Sequence, residues 1–299
     1  MLIKEKDSEI YHLENEALSI WINAADGMNL YRLRYKDTEV ISDQKERQAA
    51  GTTYGIPILF PTPNRTKNSV FIFEGKEYPA KIHGIARKAP FWITEFKEDK
   101  TGAYLEACLK ITERDPLFQE YPFLYMLKIK IALKGQKLHY IYEVINEGNC
   151  NMPFGFGLHP FFSRLSDSDS VSVQGKSVME KDKNKIPTGR LISVVNTPYD
   201  LLEGQKINNL DLDDVYTDLK GDKKAVVSYP DFRIDITADP SFSHMVVYTP
   251  DKENFFCVEP QTCSTDAINL YEHGEKRKAG LIILPPDESK TGEVIFGFD

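Results

Sequence analysis

The chain has 299 residues, 41% of them hydrophobic and 11% aromatic, enough apolar material for one large all-β domain or two ordinary ones. Its 27% charged residues and formal net charge of -8 speak against a protein that binds nucleic-acid phosphates, which carries basic faces. The opening MLIKEKDSEIYHL lacks the apolar centre of a signal peptide, and no apolar run approaches the ~18 residues that span a bilayer. Cys108, Cys150, Cys257 and Cys263 form no CxxC pair and read as reduced, mostly buried thiols of a cytoplasmic protein.

Leu18, Ile20 and Ile22 alternate with polar or half-polar neighbours, as do Tyr31, Leu33 and Tyr35, and both runs predict half-buried strands. Ala24-Ala25-Asp26-Gly27 is the turn between them. Gln44 to Ala50 is one helical turn or a loop. Ile56 to Phe60 is apolar and ends in Pro61 and Pro63, with Asn64 and Arg65 beyond. Val70 to Phe73 and Lys76 to Tyr78 form a hairpin around Glu74-Gly75, which brings His83 and Gly84 back towards Arg65. Two longer alternating runs follow, Leu105 to Ile111 and Leu127 to Leu133, separated by a loop over Glu113 to Pro122. Lys134-Gly135-Gln136 turns the chain into Leu138, Tyr140, Tyr142 and Val144. After Met152 to Phe162 the chain becomes polar, and Ser163 to Lys206 predicts short strands and long surface loops. Asp211 to Leu219 is acidic and weakly helical. Further strands are expected at Phe232–Ile236, His244–Tyr248, Phe255–Glu259, Leu281–Leu284 and Val294–Phe298. Short strands at roughly ten-residue spacing, with almost no helical periodicity, predict an all-β sandwich or barrel in a single domain over 1–299.

Six positions stand out chemically. His83, in Lys81-Ile82-His83-Gly84-Ile85-Ala86-Arg87, is by itself more often a satisfied structural histidine, although Gly84 permits close approach of a ligand. His159 is stronger. Gly155, Gly157 and Pro160 fix its backbone, and Phe154, Phe156, Phe161 and Phe162 can wall off an imidazole tuned to move protons. Glu259 closes the apolar run Phe255 to Val258; it is a strand-end or salt-bridged carboxylate, or a desolvated one fit to be a general base. Asp213 and Asp214 read as a solvated acidic turn or a binding carboxylate. Arg65 is a surface arginine or a fork of donors for two hydroxyls. Asn64 and Gln261 are weaker candidates. There is no GxxxxGK[ST], no GxGxxG opening a helix, no GxSxG and no H-E-x-x-H among the six histidines, so neither a nucleotide nor a metal cofactor is expected.

Taken in order, Asn64-Arg65, His83-Gly84 with Arg87, Gly157-Leu158-His159-Pro160, Asp213 and Glu259 resemble the aldose 1-epimerase (galactose mutarotase) family across most of the chain. Two departures suggest a divergent branch. Pro61-Thr62-Pro63-Asn64-Arg65 stands for the longer G-R-x-x-N-R-I-like segment. Pro260-Gln261-Thr262-Cys263-Ser264-Thr265-Asp266-Ala267-Ile268-Asn269 stands for the Q-x-x-P-D-A-x-N-like run. The resemblance implies a large twisted antiparallel β-sandwich, the supersandwich. It implies a cofactor-independent mutarotase that opens and recloses an aldose ring, with a small sugar as its partner and neither nucleic acid nor membrane. Glu259 is then the base and His159 the acid, and His83 binds near the ring oxygen. Arg65 and Asp213 hold remote hydroxyls, with Asn64 and Gln261 also at the substrate and Asp214 as the alternative to Asp213. Two other readings compete. A hexose-6-phosphate 1-epimerase would need basic residues around the phosphate, for which Arg65, Arg87, Lys67 and Lys88 are candidates. A non-catalytic carbohydrate-binding protein would keep the fold and lose turnover. The sequence leaves the preferred sugar and the oligomeric state open.

Overall fold

The computed structural model describes residues 1–4, 8–99 and 102–299. Two large antiparallel sheets face each other, and a five-stranded meander formed by the N-terminal residues up to Ile41 packs beside them. The nine-stranded sheet runs in spatial order 205–206, 170–173, 223–228, 233–238, 289–298, 137–146, 125–134, 102–111 and 92–99. Its long central strands come from the sequences with the clearest two-residue alternation. In a pleated strand that period sends every second side chain to one face. Leu127, Ile129, Ile131 and Leu133 therefore pair with Val144, Tyr142, Tyr140 and Leu138 on the buried face. On the other face Lys128 meets Glu143 at 2.9 Å, and Lys130 meets Glu106 at 3.5 Å.

The eight-stranded sheet runs 187–193, 177–181, 213–217, 244–248, 255–261, 157–158 and 58–59, with Phe161–Ser163 also paired to the 255–261 strand. Its central strands are buried on both faces. Met245, Val247, Phe256 and Val258 belong to the core shared with the nine-stranded sheet. Val215, Val246, Phe161 and Cys257 lie in smaller apolar clusters on the opposite face. That second face carries the site. The rings of Phe162 and Phe296, 6.3 Å apart, join the two layers.

The all-β sandwich predicted from strand spacing is what the chain forms. Several local expectations change. Asp213–Thr217 is a strand in mid-sheet, not a weak helix, because Val215 and Tyr216 pair with Val246 and Met245. The strand begun at Phe255 continues through Pro260 to Gln261. Trp92–Asp99 and Lys223–Ser228 are strands that the alternation did not reveal. The Gln44–Ala50 segment is a short helix over Lys45–Ala49. Two further short helices, Ala267–Glu272 and Lys276–Ala279, follow the 255–261 strand and are too brief to show a helical period. The cysteines are free; Cys257 and Cys263 are buried, but Cys108 is half-buried and Cys150 exposed. Among the described residues no helix is long and apolar enough to cross a membrane.

Candidate active site

The segment from Gly55 to Trp92 shapes one wall of a cavity of about 220 Å³. Its hairpin, Val70–Phe73 with Lys76–Pro79, turns at Glu74 and Gly75, both in the left-handed region at φ 49° and 76°. Asn269 pins the hairpin, accepting from the Ile72 N–H and donating to the Val70 carbonyl, both at 3.0 Å. The returning chain then lays His83 against the start of the segment, where its N–H donates to the Asn64 carbonyl at 2.8 Å. His83 itself has φ 64° and Gly84 φ 72°. A Cβ on Gly84 would lie 2.2 Å from the Phe60 carbonyl oxygen, so only glycine fits there. The predicted meeting of Arg65 with His83 thus follows from a hairpin and one crowded glycine.

His159 enters from the opposite side. Gly157 lets this stretch pass close to the 255–261 strand, since a Cβ there would meet Gln261 Cγ at 2.9 Å. The imidazole stacks face to face on Phe161, with centroids 4.5 Å apart and planes inclined by 6°. The His83 ring lies 5.3 Å away, nearly perpendicular. Phe161 and Tyr248 are the aromatic rings lining the cavity. Phe154 and Phe162 belong to the core instead.

Glu259 follows from strand geometry. Cys257, Glu259 and Gln261 share the outer face at a period of two, beside Tyr248, Val246 and His244 of the neighbouring strand. Glu259 is only 2% exposed, and its Oε1 lies 3.4 Å from His159 Nε2. Its Oε2 accepts from Gln261 Nε2 at 2.9 Å. Gln261 is locked in turn by Asn64, which donates to Gln261 Oε1 at 2.8 Å and accepts from Gln261 Nε2 at 3.2 Å. Asn64 reaches the cavity wall, but Gln261 does not line it. Gln261 is fully buried and orients Glu259, a role different from the substrate contact expected of it.

Burial of the cavity's ionisable groups moves protons off their usual positions. Burial, reinforced by the nearby Asp213 charge, pushes Glu259 well above the usual carboxylate range, against the Gln261 hydrogen bond. Burial and the neighbouring His83 hold His159 well below the usual histidine range. Burial and the Arg87 and Arg65 charges bring His83 down to about 3. Burial therefore favours the uncharged form of each, a protonated Glu259 beside a neutral His159. The His83 and His159 Nδ1 atoms are buried without a hydrogen-bond partner among the described residues.

Arg65 and Asp213 also line the cavity, so the structure brings together every residue of the predicted acid–base and hydroxyl-binding set. Arg65 is placed through its backbone and that of Lys67: Asp266 N–H donates to the Arg65 carbonyl at 3.0 Å, and Asp266 Oδ1 accepts from the Lys67 N–H at 3.0 Å. Asp213, not Asp214, faces the cavity. Asp214 is buried behind it with Lys181 at 2.7 Å. Asp213 pairs with Lys185. Arg47, Lys181 and Lys185 complete the polar wall, and no motif announced them, because they sit in a short helix and in a segment expected to hold short strands and long surface loops. Lys67 and Lys88, considered earlier as anion ligands, do not line the cavity.

One group among the described residues has metal-ligand potential. The ligand atoms of His159, Cys257 and Glu259 lie within 4.8 Å of one another, a proximity that sequence spacing hides. Burial pushes the Cys257 thiol well above its usual range, as it does the Glu259 carboxyl, so both would have to shed protons in a buried site before holding a cation.

The family described as Aldose 1-epimerase matches residues 10–297. Among relatives, the uncharacterized protein YihR of Escherichia coli K12 is 21% identical over 250 residues, covering 81% of this chain and 80% of its own. Among solved structures, a galactose mutarotase-like protein from Clostridium acetobutylicum superposes with a TM-score of 0.86 at 18% identity, over 100% of this chain and 98% of that one. Galactose 1-epimerase from Lactobacillus acidophilus NCFM does so with a TM-score of 0.80 at 16% identity, over 100% and 97%.

Proposed function

The chain belongs to the aldose 1-epimerase family, and on that footing we propose that it is a cofactor-independent mutarotase interconverting the α and β anomers of an aldose. The observation that carries the reading is the buried Glu259–His159 pair, 3.4 Å apart, with His83 against it and a sugar-sized cavity in front. Ring opening needs a base at the anomeric hydroxyl and an acid at the ring oxygen. A protonated carboxyl and a neutral imidazole 3.4 Å apart can supply both once a proton passes from one to the other.

In this reading the anomeric hydroxyl donates to Glu259, and the ring oxygen accepts from His159 Nε2–H. Hydroxyl donation stabilises the carboxylate form, which draws the proton from Glu259 to His159 as the sugar binds. Glu259 then takes the hydroxyl proton, the O–H electrons become the second bond of the carbonyl, and the bond from the anomeric carbon to the ring oxygen breaks. The ring oxygen leaves with the proton of His159. Rotation about the first carbon–carbon bond presents the other carbonyl face. Reclosure returns both protons, so the site ends as it began. Gln261 and Asn64 hold Glu259 in line. Arg65 and the free oxygen of Asp213 take remote hydroxyls, Tyr248 offers aromatic surface to the sugar, and His83 donates towards the ring oxygen. A positioned acid and base of this kind contribute about 10²–10⁴-fold.

Polarimetry tests the reading. Freshly dissolved α-glucose and α-galactose should reach their equilibrium rotation faster with the protein than with buffer, and the acceleration should survive a chelator. Rates equal to buffer for both sugars and for their charged derivatives would remove the proposal.

A further inference from the structure

We propose that His159, Cys257 and Glu259 form an inhibitory site for a thiophilic divalent cation, of which zinc is the natural case, so that the metal switches the cleft off. The site itself is independent of the mutarotase reading; its effect on turnover rests on that reading. The first observation is the place of Cys257, a thiol that the acid–base chemistry leaves unused. Cys257 and Glu259 lie two residues apart on the outer face of the strand 255–261. His159 arrives just before Phe161, which pairs with Cys257 on that strand. The three residues are buried, and their ligand atoms lie within 4.8 Å of one another. Phe161, Phe255 and Tyr248 pack around the thiol.

The second observation is fit. Zinc bonds to nitrogen and oxygen of about 2.0–2.2 Å, set at a tetrahedral angle, separate those two ligand atoms by about 3.3–3.5 Å. His159 Nε2 and Glu259 Oε1 already stand 3.4 Å apart. A zinc–sulfur bond of about 2.3 Å asks the sulfur to close on the same point by at most about 1 Å, a small swing of one side chain. Gln261 holds the other carboxyl oxygen of Glu259 at 2.9 Å and is held in turn by Asn64, the kind of support that ligating carboxylates carry. A thiolate, a carboxylate and a neutral imidazole cancel the charge of a divalent cation, so the filled site is neutral overall, as burial demands. The thiol and carboxyl protons leave to solvent on binding. Magnesium and calcium prefer oxygen ligands and do not suit a sulfur–nitrogen pair. His159 Nδ1 has no hydrogen-bond partner among the described residues, so the imidazole lacks the outward bond that strengthens permanent metal sites. The cation is therefore a reversible inhibitor and not a cofactor. Held between His159 and Glu259, it takes the two groups that must exchange protons with a sugar.

The test titrates purified wild type and Cys257→Ala with zinc chloride and with cadmium chloride, by calorimetry and ultraviolet absorption and then in mutarotation assays of glucose and galactose. Wild type should bind the metal, show thiolate-to-cadmium charge-transfer absorption, and lose mutarotation as the site fills. EDTA should restore the rate, and magnesium chloride should leave it unchanged. Cys257→Ala should keep its basal rate within a few-fold, bind at least about 10-fold more weakly and need correspondingly more metal for inhibition. No binding to wild type, binding that leaves its rate untouched, or binding and inhibition unchanged in Cys257→Ala overturns the proposal; the last result would put the metal elsewhere, as on the exposed Cys150. Should Cys257→Ala fail to fold, His159→Asn takes its place in the binding measurements, with the same weakening expected and unchanged binding overturning the proposal. Should no sugar be turned over, the mutarotase reading fails, and calorimetry and absorption decide the metal site alone by the same criteria.

Discussion

The two large sheets handle polar residues in opposite ways. In the nine-stranded sheet the charges alternate outward and meet at the surface, as Lys128 and Glu143 do at side-chain exposures of 38% and 33%. In the eight-stranded sheet the strand 255–261 is buried at every position, yet it carries Glu259 and Gln261. Solvent screens the first kind of pair to near irrelevance, whereas the second keeps its full electrostatic consequence. One sheet is a scaffold whose polar face is exchangeable. The other spends stability on holding ionisable groups largely away from water.

The contrast can be broken at both ends. The largest expected effect is at the buried end: His159→Asn should lower mutarotation at least ~10²-fold while the fold persists, because it removes the acid and gives up only part of the packing against Phe161. Rates within a few-fold of wild type would separate His159 from the chemistry. Next comes Gly84→Ala, whose Cβ has no room beside Phe60 and whose backbone is left-handed. It should cost about 2–3 kcal/mol or more and displace His83, measured by denaturant unfolding. A wild-type midpoint would show that the crowding relaxes cheaply.

Acid should sharpen the same distinction. His83 is held down at about 3 and the fully buried His244 at about 4, both mainly by burial. The unfolded chain takes up protons near pH 6.5, before these folded sites do. The stability they contribute is therefore complete above pH ~6.5 and lost as pH falls towards 3. Glu259, raised in the fold, acts in the opposite sense, losing its contribution as pH rises through its folded value. Melting temperature should fall from pH 7 to pH 4, and His244→Gln should flatten that fall; an unchanged slope in the variant would contradict the assignment. The smallest effect is at the scaffold end. Lys128→Ala should change stability by only about 0–1 kcal/mol and leave turnover alone. A larger loss would mean that the nine-stranded sheet depends on its surface pairs.

The same contrast explains what was legible in the sequence. The alternation of Leu127 to Leu133 and Leu138 to Val144 is a direct imprint of a sheet with one wet face, and those strands appear where expected. Asp213–Thr217 carries no such imprint, because Asp214, Val215, Tyr216 and Thr217 are all buried, so an acidic run was read as weakly helical. Arg65, His83, His159, Asp213 and Glu259 were recognisable through their motifs and do converge. Gln261 was placed at the substrate, since nothing local tells an amide that touches a sugar from one that holds the neighbouring carboxylate. Arg47, Lys181 and Lys185 went unnoticed because they reach the cavity only through tertiary packing, from segments that look like ordinary surface. Asp266 lies in the run after Glu259, and its buried carboxyl fastens the Arg65 loop and Asn269.

The central claim is that Glu259, buried and coupled to His159, exchanges the proton of a bound hemiacetal. The most direct measurement is the mutarotation rate of purified, folded Glu259→Gln beside wild type, with sugar affinity measured by calorimetry on the same samples. Glutamine keeps the size and most of the hydrogen bonding but cannot accept the proton. The account predicts a loss of turnover of at least ~10²-fold with a much smaller loss of affinity. Turnover near the wild-type rate would contradict it and leave Glu259 with at most a part in binding.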